Sequence, residues 1–272
     1  MNSSVLLRAA AGALIPCLGH SAITFNIHFD NENEAGLAWS ASQIGVVAHA
    51  ATEWGQLFVD DYTVNLTATF TNAGTSGYLG QWEGVYEAAA GASLRPWSEE
   101  VRHEIRFNAD LFTPNSQGVS LWWDPTPSTA DDLTNASWDA LTVARHEFGH
   151  LLGFTANFYF DDLANPGQTD PWSSLIDGSD VFDPGGLNVQ MEADLAHIDD
   201  SGVGADDLMI STLVNGARRE ISVLDGQMLS LAYGYHPLAA GLAAIPEPST
   251  LPLFTGVLAL CAIRRPRRAP RC

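Results

Sequence analysis

One stretch constrains this chain more than any other: Arg145-His146-Glu147-Phe148-Gly149-His150-Leu151-Leu152-Gly153-Phe154. Two histidines four apart fall on one face of a helix, so both imidazoles can reach a single metal ion. Zinc accepts such nitrogen ligands at about 2.0–2.1 Å. Glu147 follows the first histidine and sits beside the ion's open position, where a carboxylate can take a proton from water as general base. Upstream, Ser137 is the expected N-cap, Asp139 lies in the first turn, and Trp138, Leu141 and Phe148 supply a buried side. Gly153 then ends the helix and releases the chain into a turn, so that a later segment can bring a third ligand back to the metal.

The 272 residues, 46% of them hydrophobic, are enough for one catalytic domain with a sizeable core between two removable ends. Residues 1–22 carry one charge (Arg8), an apolar run from Ala9 to Leu18 and a small-residue exit at Ser21-Ala22, as a secretory signal does. At the other end, 245–272 join Pro246-Glu247-Pro248 to an apolar segment from Leu251 to Ile263 and five arginines. This end resembles the PEP-CTERM sorting signal of Gram-negative bacteria. That resemblance implies export, transient contact with the inner membrane, and processing by an exosortase-type enzyme. The apolar segment is shorter than the roughly 20 residues of an ordinary spanning helix. A plain membrane anchor is the alternative reading.

The remaining domain, 23–244, contains none of the three cysteines, so it is expected to be free of disulfides despite export. Six of the twelve basic residues lie in the terminal segments, whereas all but one of the 32 acidic residues lie between them. The domain is therefore more acidic than the whole-chain formal charge of −20. Such a surface argues against nucleic acid or an anionic membrane as partner.

Within the domain, Ile23 to Phe29 and Tyr62 to Thr71 alternate as strands do, the latter with Val64, Leu66, Ala68 and Phe70 on one side. Between Ser40 and Phe58, Ile44, Val47, Ala51, Trp54 and Phe58 form a helical stripe. His49 and Glu53 in it are read as solvated or core residues rather than ligands. Asn72 to Gly91 reads mostly as loop at the rim of a cleft. Val101 to Phe107 and Gly118 to Trp123 are short strands, and His103 in the first is read as structural. After Gly153, 155–196 form an acidic loop region. Asp161, Asp162, Asp170, Asp177, Asp180 and Asp183 could bind calcium there, but no EF-hand spacing is present and a solvated acidic loop is the preferred reading. A helix from Ser222 to Tyr233, with Leu224, Met228 and Leu231 on its apolar side, closes the domain.

A hydrolytic zinc site keeps three protein ligands and one open position. The compact metzincin pattern would place the third histidine at 156, where this chain has Ala156. His197 is the best remaining candidate, because a short glycine-containing link leads from it to Asp206-Asp207-Leu208-Met209. An aspartate such as Asp161 or Asp170 is the rival.

HEFGHLLGF, an inserted loop, a histidine followed by Leu-Met, and a closing helix together resemble leishmanolysin-like metzincins and related exported bacterial metalloproteases. The specific part of the resemblance covers 145–154 and 194–211. It implies an α+β, zincin/metzincin-like fold: a mixed sheet, an active-site helix carrying HExxH, and a C-terminal subdomain with a methionine turn. It further implies His146, His150 and His197 as ligands of Zn2+, Glu147 as the base, and Met209 beneath the metal. No tyrosine follows Met209 closely, which leaves Tyr159, Tyr233, Tyr235 and His236 as candidates to stabilise an oxyanion. The expected function is a secreted or surface zinc endopeptidase acting on protein or peptide substrates. The alternative is a non-catalytic, zinc-stabilised matrix or surface protein, and a zinc hydrolase of non-peptide bonds also fits the motif.

Overall fold

The computed structural model describes residues 22–74, 77–86, 96, 101–115, 117–130, 132–155, 171–201 and 207–238. The expected signal segment, the PEP-CTERM segment, all three cysteines, Tyr159, Asp161, Asp162, Asp170 and Asp206 lie outside them.

The chain runs β1 (Thr24–Phe29), α1 (Ala41–Leu57), β2 (Thr63–Thr71), β3 (Gly80–Tyr86), β4 (Val101–Asn108), β5 (Ser120–Trp122), β6 (Ser137–Asp139), α2 (Ala140–Leu152), β7 (Val181–Phe182), β8 (Val189–Gln190) and α3 (Val223–Tyr233). It is an α+β fold. β1, β2, β4 and β3 form a mixed sheet in that order, with β1, β2 and β4 parallel and β3 antiparallel at the edge. Among the described residues, no helix is long and apolar enough to cross a membrane.

The alternation of β2 sends Val64, Leu66, Ala68 and Phe70 into the core, where they meet Ile105 and Phe107 of β4 and the apolar stripe of α1. Burying each large apolar side chain stabilises the fold by about 1.5–3 kcal/mol. Ser40 caps α1 through a capping box with Gln43, satisfying amides that the first turn cannot bond internally. α1 and α2 are locked together by Arg145, which is 2% exposed. Its guanidinium donates to both oxygens of Glu53 (2.7 and 2.6 Å) and to the Arg219 carbonyl (2.6 Å), and pairs with Glu220. Glu53 is therefore the counter-ion of a buried arginine. The Trp54 indole N–H adds a bond to the Arg145 carbonyl at 2.8 Å.

Three elements depart from the sequence expectation. Ser137 does not cap the metal helix: Ser137–Asp139 pairs with Ser120–Trp122 as a strand, and Asp139 is the N-cap, accepting from the Thr142 amide at 3.1 Å. Arg218 holds Asp139 from the other side, at 2.9 and 2.8 Å. The segment expected to be mostly loop contains β3, whose strand conformation comes from pairing with β4 and not from its own pattern. In α3, Met228 is buried as expected, but Leu231 is 49% exposed and Leu229 takes the inward position.

Candidate metal centre

α2 presents His146, Glu147 and His150 toward a cavity of about 670 Å³, and the chain returns after the acidic loop region to place His197 at the same point. The three imidazoles each offer a nitrogen within 4.8 Å of the others. His146 Nε2 lies 3.0 Å from His150 Nε2 and 3.3 Å from His197 Nε2. Tetrahedral ligands at the usual zinc–nitrogen length are separated by about 3.3 Å.

The other ring nitrogens fix the protonation. Nδ1 of His146 faces the Leu208 carbonyl at 2.9 Å, Nδ1 of His150 the Phe154 carbonyl at 2.5 Å, and Nδ1 of His197 the Asp194 carboxylate at 2.5 Å. These oxygens only accept, so each Nδ1 carries a proton, and in the neutral ring that a metal requires the lone pair is on Nε2. Three converging lone pairs repel one another unless a cation sits between them. The donor set therefore fits a metal ion such as zinc, with every imidazole oriented by an acceptor behind it. Burial keeps the two helix rings neutral, as ligands must be: it pulls His146 down to about 4, against a smaller opposing effect of the Leu208 carbonyl. Burial, then the neighbouring His146 and His197, hold His150 well below its ordinary value.

Glu147 is buried in the same cavity. Burial pushes its carboxyl up to about 8, and the backbone N–H of Trp82 in β3 pulls the other way. A cation a few ångströms away would shift the balance toward the carboxylate. Gly80 of β3 lies over this side chain: a Cβ there would stand 2.5 Å from Val143 Cγ1 and 3.1 Å from Glu147 Oε1.

Beneath the helix, Met209 is fully buried, with its sulfur 2.4 Å from where a Cβ of Gly149 would be. The turn that carries it is tied to the histidines. Leu208 supplies the acceptor for His146, and the Met209 carbonyl accepts from the amide of Ile198, the neighbour of His197, at 2.9 Å.

Asp194, Gly149 and the Leu208 and Phe154 carbonyls were not singled out from sequence. The one signal among them is an aspartate three residues before His197. Its carboxylate also accepts from the amides of Ala196 and His197. Partial burial alone would raise Asp194, but these contacts outweigh it and hold the group below its ordinary value.

Three of the oxyanion candidates are committed elsewhere. The Tyr233 and Tyr235 hydroxyls donate to the carbonyls of Gly153 and Leu152, each at 3.0 Å, and His236 pairs with Asp60. His103 is buried in the sheet, where its Nδ1 accepts from the Trp82 indole at 3.1 Å and its Nε2 faces the Pro96 carbonyl at 2.7 Å. Among the described residues, Asp177, Asp180 and Asp183 form no convergent ligand group; Asp177 and Asp183 accept from backbone amides of their own turns. The second convergent group is Glu192, Asp194 and His197, which shares His197 with the first.

Fold and site together define an α+β protein with a zincin-like arrangement: two histidines on α2 and a third from a distant loop, able to hold a metal ion. No protein-family model matches the chain, and no curated protein matches it.

Proposed function

We propose that this protein is a zinc-dependent endopeptidase of metzincin type, similar to the leishmanolysin-like enzymes, with His146, His150 and His197 as ligands and Glu147 as general base. The observation that carries the reading is the convergence of three Nε2 atoms, each ring oriented by an acceptor behind its Nδ1, beside a buried carboxylate in one open cavity. A closed structural site would need a fourth ligand and has no use for a base. A bound zinc ion would supply Lewis acidity to the scissile carbonyl and acidify a water.

The chain's own residues do the rest. Glu147 takes the proton from the attacking water and returns it to the leaving amine. The backbone N–H of Trp82 holds that carboxylate in place. Val143, Leu208, Ile210 and Leu213 give the cavity an apolar wall for a side chain of the substrate. Among the described residues β3 pairs only with β4, and an extended peptide added along its other edge would be held by backbone hydrogen bonds, which favours a polypeptide substrate. Met209 is the methionine of the turn beneath the metal.

The same reading covers the ends of the chain. The protein is exported by a Gram-negative bacterium, held briefly in the inner membrane through 245–272, and released at the cell surface or outside after exosortase-type processing. Protein or peptide is its substrate, and nucleic acid is not a partner.

The deciding experiment measures zinc content and hydrolysis of a casein-like protein and of small esters and amides, with and without chelator. Chelator-sensitive cleavage of the protein, lost in Glu147→Ala with zinc retained, is the expected result. Stoichiometric zinc without any hydrolysis would leave the non-catalytic alternative standing.

A further inference from the structure

Behind the histidine group two acidic side chains are buried against each other. Asp225, in the first turn of α3, is 0% exposed, and Asp207, which opens the Leu208–Met209 turn, is 8% exposed. Asp225 Oδ2 accepts from the Ser222 amide at 2.7 Å, and Asp207 Oδ1 accepts from the Met209 amide at 3.0 Å. The two carboxyl groups are in side-chain hydrogen-bond contact. Two carboxylates can only accept, and Asp225 Oδ1 is buried with no donor among the described residues reaching it. A proton on that oxygen, donated to Asp207, satisfies both groups.

We propose that Asp207 and Asp225 share one proton, and that the resulting acid–carboxylate pair is a positioning element that clamps the Leu208–Met209 turn against α3 and so holds the histidine site in register.

The surroundings agree. The charged group acting on Asp225 is Asp207; from its own helix cap it meets the uncharged Ser222, and from α1 the neighbour at this end of α3 is Leu57, packed at Gly226. Arg219 sends its Nη1 to the Thr212 carbonyl at 2.7 Å. Burial first, and then the charge of Asp207, hold the Asp225 carboxyl well above the ordinary range, with the Ser222 contacts opposing.

The clamped turn reaches all three histidines: through the Leu208 carbonyl to His146, through the Met209 carbonyl to the neighbour of His197, and through the Met209 side chain to the helix face at Gly149, next to His150. The other end of α3 is fixed to α2 by the Tyr233 hydroxyl on the Gly153 carbonyl. α3 is thus a strap, and the shared proton is its fastening. Loss of that proton to solvent base leaves two buried carboxylates in contact, which repel. The turn then leaves α3, and the acceptor behind His146 moves with it. Ordinary ligand chemistry predicts tighter metal binding as pH rises, because ligands lose competing protons. The clamp predicts a reversal of that trend at alkaline pH.

The positioning role rests on the zinc reading of the histidines, whereas the shared proton does not, and the test separates them. The full chain is compared as wild type, Asp225→Asn and Asp225→Ala. At neutral pH the wild type should show an infrared band of a protonated carboxyl, with or without zinc, that Asp225→Asn removes. Zinc retention against a chelator should fall about tenfold or more at alkaline pH in the wild type. It should stay level in Asp225→Asn, whose amide donates to Asp207 without titrating, and be weak throughout in Asp225→Ala. Should the alanine variant not fold, the asparagine comparison still decides. A missing band, or an equal alkaline fall in Asp225→Asn, overturns the proposal. A band that Asp225→Asn removes, without zinc binding at any pH, overturns the zinc reading and the positioning role while supporting the shared proton.

Discussion

The sulfur of Met209 lies so close to Gly149 that a Cβ added there would stand 2.4 Å from it, so helix α2 rests directly on the turn that follows His197. Gly149→Ala should force Met209 and its turn away from the helix and carry the acceptor of His146 with it. Overpacking of this kind costs about 1–3 kcal/mol. Thermal unfolding and zinc content should therefore both fall in Gly149→Ala. An unchanged melting temperature with full zinc content would show that the turn yields without cost.

His197→Ala should lower zinc affinity strongly, because it removes one of three converging donors. His236→Ala should leave it intact, since that ring pairs with Asp60. Metal analysis of both purified variants decides between His197 and an aspartate as third ligand. Equal zinc content in the two would remove His197 from the site.

Glu147→Gln should keep zinc and lose activity by about 10²–10⁴-fold, the usual contribution of a positioned general base. The amide preserves the side chain's shape under Gly80 and cannot take a proton. Parallel zinc and turnover measurements on that variant test the assignment, and residual activity near the wild-type level would contradict it.

The pH dependence of stability should carry the mark of His103. Burial lowers its pKa from 6.5 to about 4, with the Pro96 carbonyl opposing. Its Nδ1 already accepts from the Trp82 indole, so a second ring proton would have to displace that contact. The folded pKa lies below the unfolded one, and the unfolded chain therefore binds more protons between the two. Stability from this group is intact above pH 6.5 and is lost as pH falls toward 4, by about 3 kcal/mol in all. Urea unfolding across that range should show the loss in the wild type. A His103→Gln variant should show a shallower slope, and an identical slope would assign the loss to other groups.

The helices were legible because they carry local signals. The apolar stripes of α1 and α3 announce both elements, and the structure adds that Ser40 and Ser222 cap them. α2 was legible in its body but not at its start, because Ser137 is taken by pairing with Ser120, a partner that local pattern cannot reveal. β3 was missed for the same reason: Gly80, Gly84 and the polar residues among them become a strand only beside β4. At the site, His146 and His150 follow from helical spacing. The approach of His197 depends on a chain reversal of more than forty residues, and the acceptors behind the rings are mostly backbone carbonyls, which no sequence pattern marks.

An edge strand open to an extended peptide is equally open to the edge strand of another copy. β3 carries one acidic side chain, Glu83, and that residue is drawn to Arg106 of its neighbour strand. The formal charge of −20 on a chain without a single lysine opposes such contact through repulsion between copies. Concentrated salt, or acid that neutralises the carboxylates, should bring molecules together edge to edge, and a peptide bound along β3 should protect against it.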